Sequence, residues 1–210
     1  ARHSFDNSLG CVTELFSGSQ NVWPQEAVPH QGFSSSGVVL PLVRGLLGLE
    51  GDALEKKVIF EPRFPADWEK VEIENFLVGG EKFSISYSRE KNKISASILS
   101  REGSGYRMAF SPALALGTRI IGAAVRGKPV SLREEQSALS PAIQPTVEWL
   151  LSGSDTAEIQ FEPSFEILPF EGETSTGDPD RGLKIIQLSL AQNELRVIVE
   201  GLLRVRQGMK

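Results

Sequence analysis

Cysteine and histidine are scarce in this chain of 210 residues, and their scarcity excludes several kinds of site. The one cysteine, Cys11, cannot form an internal disulfide or a site made of several thiolates. The two histidines, His3 and His30, are too few for a zinc site made of histidines alone. The segment Gly103-Ser104-Gly105 lacks the third glycine of a dinucleotide-binding motif. We therefore expect neither a metal ion nor an organic cofactor.

An excess of positive charge is missing as well. The chain has 22 Lys and Arg residues against 27 Asp and Glu residues, a net charge of −5, and its basic residues are scattered. Binding of nucleic acid or of an anionic membrane requires a clustered positive surface. No apolar run approaches the roughly 20 residues of a membrane-spanning helix. These features argue against nucleic acid and membranes as partners and favour a neutral partner, and they leave both a cytoplasmic and a periplasmic location open.

An apolar helix is predicted near the front of the chain, from Val38 to Leu49. Apolar side chains recur there at helical spacing and form a stripe two residues wide: Val38, Val39, Leu42, Val43, Leu46 and Leu47. The serines at 34–36 offer an N-cap, Pro41 is tolerated near a first turn, and Gly48 and Gly51 offer C-terminal stops. So wide a stripe predicts burial against other helices, against the sandwich described next, or against a second copy of the chain.

After Gly51 the hydrophobic period changes from that of a helix to that of strands. Apolar side chains alternate with Glu, Ser and Lys in three successive runs: Val71 and Ile73; Phe83, Ile85 and Tyr87; Ile94, Ala96 and Ile98. Gly79-Gly80 and Lys91-Asn92 lie where hairpin turns are needed. Further strand candidates are residues 57–61, 106–110, 119–126, 146–151, 158–161, 183–190 and 195–202, and the polar segment 171–181 is predicted to be an exposed loop. The pattern predicts a mainly β fold: an antiparallel β-sandwich preceded by one or two helices.

The connection between residues 11 and 37 concentrates side chains suited to a binding site. Glu14, Trp23, Glu26, His30 and Gln31 lie in this stretch, which is too long and too aromatic for a simple connection. Carboxylates, amides and an imidazole hydrogen-bond hydroxyl groups, and an aromatic face covers the apolar side of a pyranose. The segment therefore predicts a sugar-binding wall. In the alternative interpretation the acids are solvated, the histidine bonds the backbone and the tryptophan fills a gap between layers.

Two motifs in this stretch resemble the last helical hairpin of the six-hairpin (α/α)6-barrel glycosidases. Residues 13–18 are Thr-Glu-Leu-Phe-Ser-Gly, residues 28–34 are Val-Pro-His-Gln-Gly-Phe-Ser, and the predicted helix ends Gly-Leu-Leu-Gly-Leu at 45–49. The order is similar to that of the glycogen-debranching, amylo-α-1,6-glucosidase type, with Thr13 in place of the usual proline. The motif-bearing match covers residues 9–51. The strand-rich remainder resembles the β-sandwich that follows the barrel in some bacterial members.

The resemblance implies a reaction and roles for the candidate residues. Glu14 would be the general base of an inverting hydrolysis of α-glucan-type oligosaccharides, with Trp23, Glu26, His30 and Gln31 binding the substrate. Inverting enzymes need a second carboxylic acid that protonates the leaving oxygen. The resemblance implies that this acid lies in an earlier hairpin, so the present chain would be inactive alone.

The same resemblance divides the chain into residues 1–51, closing an incomplete (α/α)6 barrel, and residues 52–210, forming the sandwich. Because the chain begins Ala1-Arg2-His3 without an initiator Met or a signal-peptide pattern, we expect it to be cut from a longer protein. The missing barrel, or a second copy, would then cover Val38–Leu49. Two further functions stay open: a non-catalytic carbohydrate-binding or structural β-sandwich module, and a subunit-interaction domain. Trp68 and Trp149 are expected to be sandwich or interface residues.

Overall fold

The fold consists of a short helical segment followed by strands in two main sheets. A computed structural model describes residues 12–15, 28, 31–100, 105–136, 143–165, 184–191 and 194–200. The helix α1 spans Gly32–Leu40 and continues as a π-helical turn, Pro41–Leu46. The strands are β1 Leu49–Asp52, β2 Lys57–Phe60, β3 Lys70–Val78, β4 Glu81–Glu90, β5 Lys93–Ser100, β6 Arg107–Phe110, β7 Arg119–Val125, β8 Lys128–Val130, β9 Arg133–Gln136, β10 Ile143–Leu150, β11 Ser154–Glu162, β12 Lys184–Ala191 and β13 Glu194–Glu200.

The strands of the described chain are divided between two layers and one separate hairpin. One sheet has five strands in the order β1-β2-β6-β10-β9, and the other has six in the order β3-β4-β5-β11-β7-β8. Strands β12 and β13 pair only with each other. The paired strands run antiparallel, except that β2 and β6 run parallel. The chain therefore leaves the first sheet after β2 and returns to it at β6.

The core lies between the two large sheets. Alternate side chains of each strand point inward and join one buried cluster, as period-two patterning requires. Phe60 of β2 stacks against Phe110 of β6, with ring centroids 5.7 Å apart, and meets Tyr87 of the other sheet edge-on at 6.4 Å. Each large aromatic side chain buried in this way contributes several kcal/mol to folding, about 3–5 by truncation. The predicted fold class, a mainly β sandwich of antiparallel strands preceded by a helix, is confirmed.

The strands predicted from alternation are present with small changes at their ends. The runs at 71–73, 83–87 and 94–98 lie within β3, β4 and β5, and Tyr87 is buried as expected. Gly79 and Gly80 both have positive φ, 59° and 92°, which is what a two-residue hairpin turn of this kind requires. Trp149 of β10 is buried, whereas Trp68 is partly exposed. The short strands β1, β8 and β9 were not predicted, and the predicted loop at 171–181 lies outside the described residues.

The helix prediction was wrong in its bounds. The segment begins at Gly32 instead of Val38, with Gln31 at the N-cap position, and its helical geometry ends at Leu46 instead of Leu49. The serines lie inside α1, where the Ser36 hydroxyl donates to the Gly32 carbonyl at 2.9 Å. Pro41 has no amide hydrogen, and a proline inside a helix widens the backbone around it. The wider turn is closed by the Leu47 amide donating to the Leu42 carbonyl at 2.9 Å.

Gly48 turns the chain from the helical segment into β1. Its φ is +63°, and a Cβ at this position would lie 1.9 Å from the Glu61 carbonyl oxygen. The Glu61 amide donates to the Gly48 carbonyl at 2.8 Å, and the Arg63 amide donates to the Leu46 carbonyl at 3.0 Å. These bonds attach the end of the helical segment to the residues after β2.

The expected burial of the helix is absent within the described chain. No residue of α1 or of the π-helical turn is buried, and Phe33 is 88% exposed. Val43 and Leu47 alone among the stripe residues pack against the sandwich core. The exposed stripe residues are Val38, Val39 and Leu42, joined by Leu40. Among the residues that the structure describes, no helix is long and apolar enough to cross a membrane.

Candidate functional site

Two short stretches ahead of α1 are joined by backbone hydrogen bonds. The Glu14 amide donates to the Val28 carbonyl at 3.2 Å, and the Gln31 amide donates to the Val12 carbonyl at 3.4 Å. Residue numbers rise along one stretch while they fall along the other, so the two run in opposite directions. The pairing places the motif that contains Glu14 beside Val28 and Gln31 of the motif at 28–34.

The side chains of the first stretch differ sharply in their exposure. Val12 and Thr13 are buried, with Thr13 only 2% exposed, whereas Glu14 and Leu15 are exposed. The Thr13 hydroxyl has no hydrogen-bond partner within the described part of the chain. Buried hydroxyl groups in folded proteins nearly always have such a partner. The stretch therefore presents an exposed carboxylate and, one residue earlier, a buried hydroxyl that the described residues leave unsatisfied.

Gln31 connects this pairing to α1. Its backbone is extended, with φ −99° and ψ 111°, and its carbonyl accepts the Ser35 amide at 2.9 Å as the first bond of the helix. The Gln31 side chain is half-buried and makes no capping hydrogen bond. The amide of this residue is thus held by the Val12 carbonyl and its carbonyl by the first turn of the helix.

The structure describes two of the five predicted site residues, and the predicted roles of all five stay predictions. Glu14 and Gln31 lie on the two paired stretches, whereas Trp23, Glu26 and His30 lie outside the described residues. Their predicted roles in binding substrate stay predictions. Within the described part of the chain, no group of three or more His, Cys, Asp or Glu side chains is placed to hold a metal ion.

A groove that the sequence analysis does not predict runs along one end of the sandwich. Its first compartment has a volume of about 200 Å³ and is lined mainly by apolar side chains, among them Phe64, Leu116, Phe165 and Leu188. Its second compartment, of about 500 Å³, is lined by Glu69, Glu90, Lys91, Pro163 and Ser164. Ala66 and Arg89 line both compartments, so the two adjoin.

The groove residues are drawn from five separate parts of the chain. They come from the connection before β3, the end of β4, the turn before β7, and the residues after β11 together with β12. No single motif marks such a site in a sequence. The available signal was the density of aromatic residues in the connection between β2 and β3, where Phe64 and Trp68 occur.

Comparison with known proteins gives matches to solved structures alone. No protein-family model matches the chain, and no curated protein does. An alpha-L-rhamnosidase from Dictyoglumus thermophilum matches with 17% identity and a TM-score of 0.44, over 63% of this chain and 14% of that one. A GH127 beta-L-arabinofuranosidase from Geobacillus stearothermophilus T6 matches with 9% identity and a TM-score of 0.32, over 70% of this chain and 26% of that one.

Both matched structures are glycoside hydrolases, and the present chain spans a small part of each, 14% and 26% of their lengths. With TM-scores of 0.44 and 0.32, neither match carries an argument about this chain. Neither protein is a glycogen-debranching enzyme, so the finer resemblance drawn from the sequence motifs, to the amylo-α-1,6-glucosidase type, stays a prediction.

Proposed function

We propose that this chain is the C-terminal part of a glycoside hydrolase that cleaves α-glucan-type oligosaccharides with inversion, and that Glu14 is its general base. The observation that carries the proposal is the backbone pairing of Glu14 with Val28 and of Val12 with Gln31. It joins the stretch that carries the exposed Glu14 carboxylate, and the buried Thr13 hydroxyl that has no partner among the described residues, to Val28 and Gln31 through the backbone. Such a partial polar site is expected where this chain forms one wall of a pocket and other parts of a longer protein form the remaining walls.

The proposed chemistry assigns one step to this chain. The Glu14 carboxylate takes a proton from a water molecule as the water oxygen bonds to the anomeric carbon. The bond from that carbon to the leaving oxygen breaks, and a carboxylic acid from another part of the longer protein gives that oxygen its proton. In inverting enzymes the two carboxyl groups stand roughly 6.5–9.5 Å apart, which leaves room for the water. Gln31 donates an amide hydrogen bond to a substrate hydroxyl.

The uncovered apolar face of the helical segment supports the same proposal. Phe33, Val39, Leu40 and Leu42 are all exposed, and burying the rest of a half-exposed leucine or valine is worth roughly 1 kcal/mol. A helix so apolar on its outer face fits a position at the edge of a helical barrel whose other hairpins cover it. In this proposal the first unit is residues 1–51 and the sandwich is residues 52–210, and a second copy of the chain is the alternative cover.

The test is the variant Glu14→Gln in the longer protein that carries this chain. Glutamine keeps the size of the side chain but cannot accept a proton, so kcat for hydrolysis of maltosyl or branched α-glucans should fall by about 10²–10⁴-fold. Proton NMR of the first-formed product should show the anomer of inverted configuration in the parent enzyme.

Glu55→Gln is the matched control. Glu55 is an exposed acid in the turn between β1 and β2, and its loss should leave kcat unchanged. Unchanged hydrolysis by Glu14→Gln would remove Glu14 from the reaction and leave the chain as a non-catalytic carbohydrate-binding or structural module.

A further inference from the structure

The groove at the end of the sandwich has an aromatic base. Phe64, which lines the apolar compartment, stacks on Trp68 with ring centroids 5.7 Å apart and planes inclined by 29°. Phe64 also meets Tyr87 edge-on at 4.9 Å, so the sandwich core holds it in place. Trp68 is 41% exposed, although its ring is among the most costly to leave in water. Trp68 is not itself a lining residue, but it stacks on the lining residue Phe64, and Ala66 and Glu69, close to it in sequence, line the second compartment, so the exposed ring lies close to the groove.

The wall of the second compartment offers hydrogen-bonding groups of both signs. Glu69 and Glu90 are acidic, and Arg89 and Lys91 are basic. Glu90 is also bonded to Lys93 at 3.3 Å, and the hydrogen bond to Glu90, followed by the charge of Glu158, raises the pKa of Lys93. Because cations and anions stand side by side, the wall has no dominant charge that would select an ionic ligand. It does have donors and acceptors for hydroxyl groups.

The far wall of the groove is fixed by close packing. Gly117, with φ +80°, lies in the turn beside the lining residue Leu116, and a Cβ there would come within 2.4 Å of Leu190 Cδ2. The β12–β13 hairpin therefore rests directly on this turn and brings Leu188 into the apolar compartment.

We propose that this groove binds a neutral oligosaccharide, with the apolar faces of the sugar rings against Phe64 and Trp68 and the hydroxyl groups against Glu69, Arg89 and Lys91. The two compartments together have the size of a typical ligand pocket, roughly 300–1,000 Å³. The site lies on the sandwich and takes no part in the step assigned to Glu14. The assignment of a sugar as the ligand rests on the proposed function. The role of the groove is to hold a polysaccharide chain while the longer protein cleaves it.

The test is a titration of the ¹⁵N-labelled chain with maltopentaose, followed by heteronuclear NMR up to about 10 mM sugar. The amide signals of Ala66, Arg89 and Ser164 should shift with a Kd of roughly 0.1–10 mM, as expected for a few stacking and hydroxyl contacts. Trp68→Ala should weaken binding at least about tenfold. Glu69→Ala, at an exposed side chain, should weaken it several-fold and serves where the tryptophan variant disturbs the whole spectrum.

Leu54→Ala is the control, because Leu54 is 95% exposed and is not among the groove residues. It should bind maltopentaose like the original chain, and so should Glu14→Gln. If Glu14→Gln still binds maltopentaose, the result supports the groove as a sugar-binding site even if Glu14 is not the general base. The proposal is overturned if no signal shifts at about 10 mM sugar, if the shifts lie outside the groove, or if Trp68→Ala and Glu69→Ala both bind as well as the original chain.

Discussion

The sandwich and the helical segment contain the same kinds of apolar side chain but treat them in opposite ways. In the sandwich, Phe83 and Ile159 are completely buried, and each lies on a strand whose other face is polar. In the helical segment, Val39 and Leu40 are more than half exposed, and no residue of α1 is buried. The two sheets of the sandwich thus bury each other's apolar side chains. Most apolar side chains of the helical segment are left exposed by the described residues.

The difference separates two uses of hydrophobic sequence. In the sandwich it contributes to folding, because the second layer of the same chain covers the first. On the outer face of the helical segment it contributes little to folding and is available for association. Substitutions in the two regions should therefore act on different measurements.

The largest effect is expected from Phe60→Ala. Phe60 is fully buried and contacts both Phe110 and Tyr87, so its truncation should lower the free energy of unfolding by about 3–5 kcal/mol. The comparison variant Leu40→Ala removes a half-exposed side chain and should change it by less than about 0.5 kcal/mol. Urea denaturation followed by tryptophan fluorescence measures both. Similar losses for the two variants would abolish the distinction between the regions.

A smaller loss is expected where the two regions join. Gly48→Ala places a Cβ at φ +63° and 1.9 Å from the Glu61 carbonyl oxygen, so the chain must shift, at roughly 2–3 kcal/mol. Gly122→Ala in β7 is the matched control, because a Cβ there has no neighbour within 4 Å. It should stabilise the chain by about 0.4–1 kcal/mol. A Gly48→Ala variant as stable as the original would mean that this junction adapts freely.

The smallest effect on stability, with a clear effect on association, is expected from the paired change Val39→Glu and Leu40→Glu. Both side chains are exposed, so the free energy of unfolding should change by less than about 0.5 kcal/mol. Two new charges on an apolar face should abolish any concentration-dependent self-association seen by analytical ultracentrifugation. Leu77→Glu, at an exposed leucine of β3, should leave association as it is. Equal effects of both changes would argue against α1 as the contact surface.

Much of the sandwich was predictable because its strands alternate. Ile94, Ala96 and Ile98 are separated by polar residues, and one buried face accounts for that pattern completely. The short strands could not be predicted, and the reason is physical. Strand β8 is Lys-Pro-Val at an edge, and β9 is Arg-Glu-Glu-Gln, so neither has an apolar face to reveal it. Their pairing is set by neighbouring strands instead.

The helix and the sites show where sequence reasoning stops. Pro41 resembled a helix start, but the structure accommodates it in a wider turn, and the serines before it are helical instead of capping. Glu14 was identified from a motif, while its pairing with Val28 depends on contacts that the motif does not encode. The groove was missed because Arg89 and Leu188 meet only after the chain has folded.

The route of the chain through the sandwich has a further consequence. Strands β2 and β6 are bonded neighbours, yet β3, β4 and β5, all in the opposite layer, come between them in the chain. Later the chain crosses three more times, from β6 to β7, from β8 to β9 and from β10 to β11. Neither layer is formed by a continuous stretch of sequence. We therefore expect that neither the first nor the second half of the sandwich sequence folds by itself. Such interleaving demands many distant pairings at once, and it makes assembly slow but all-or-none.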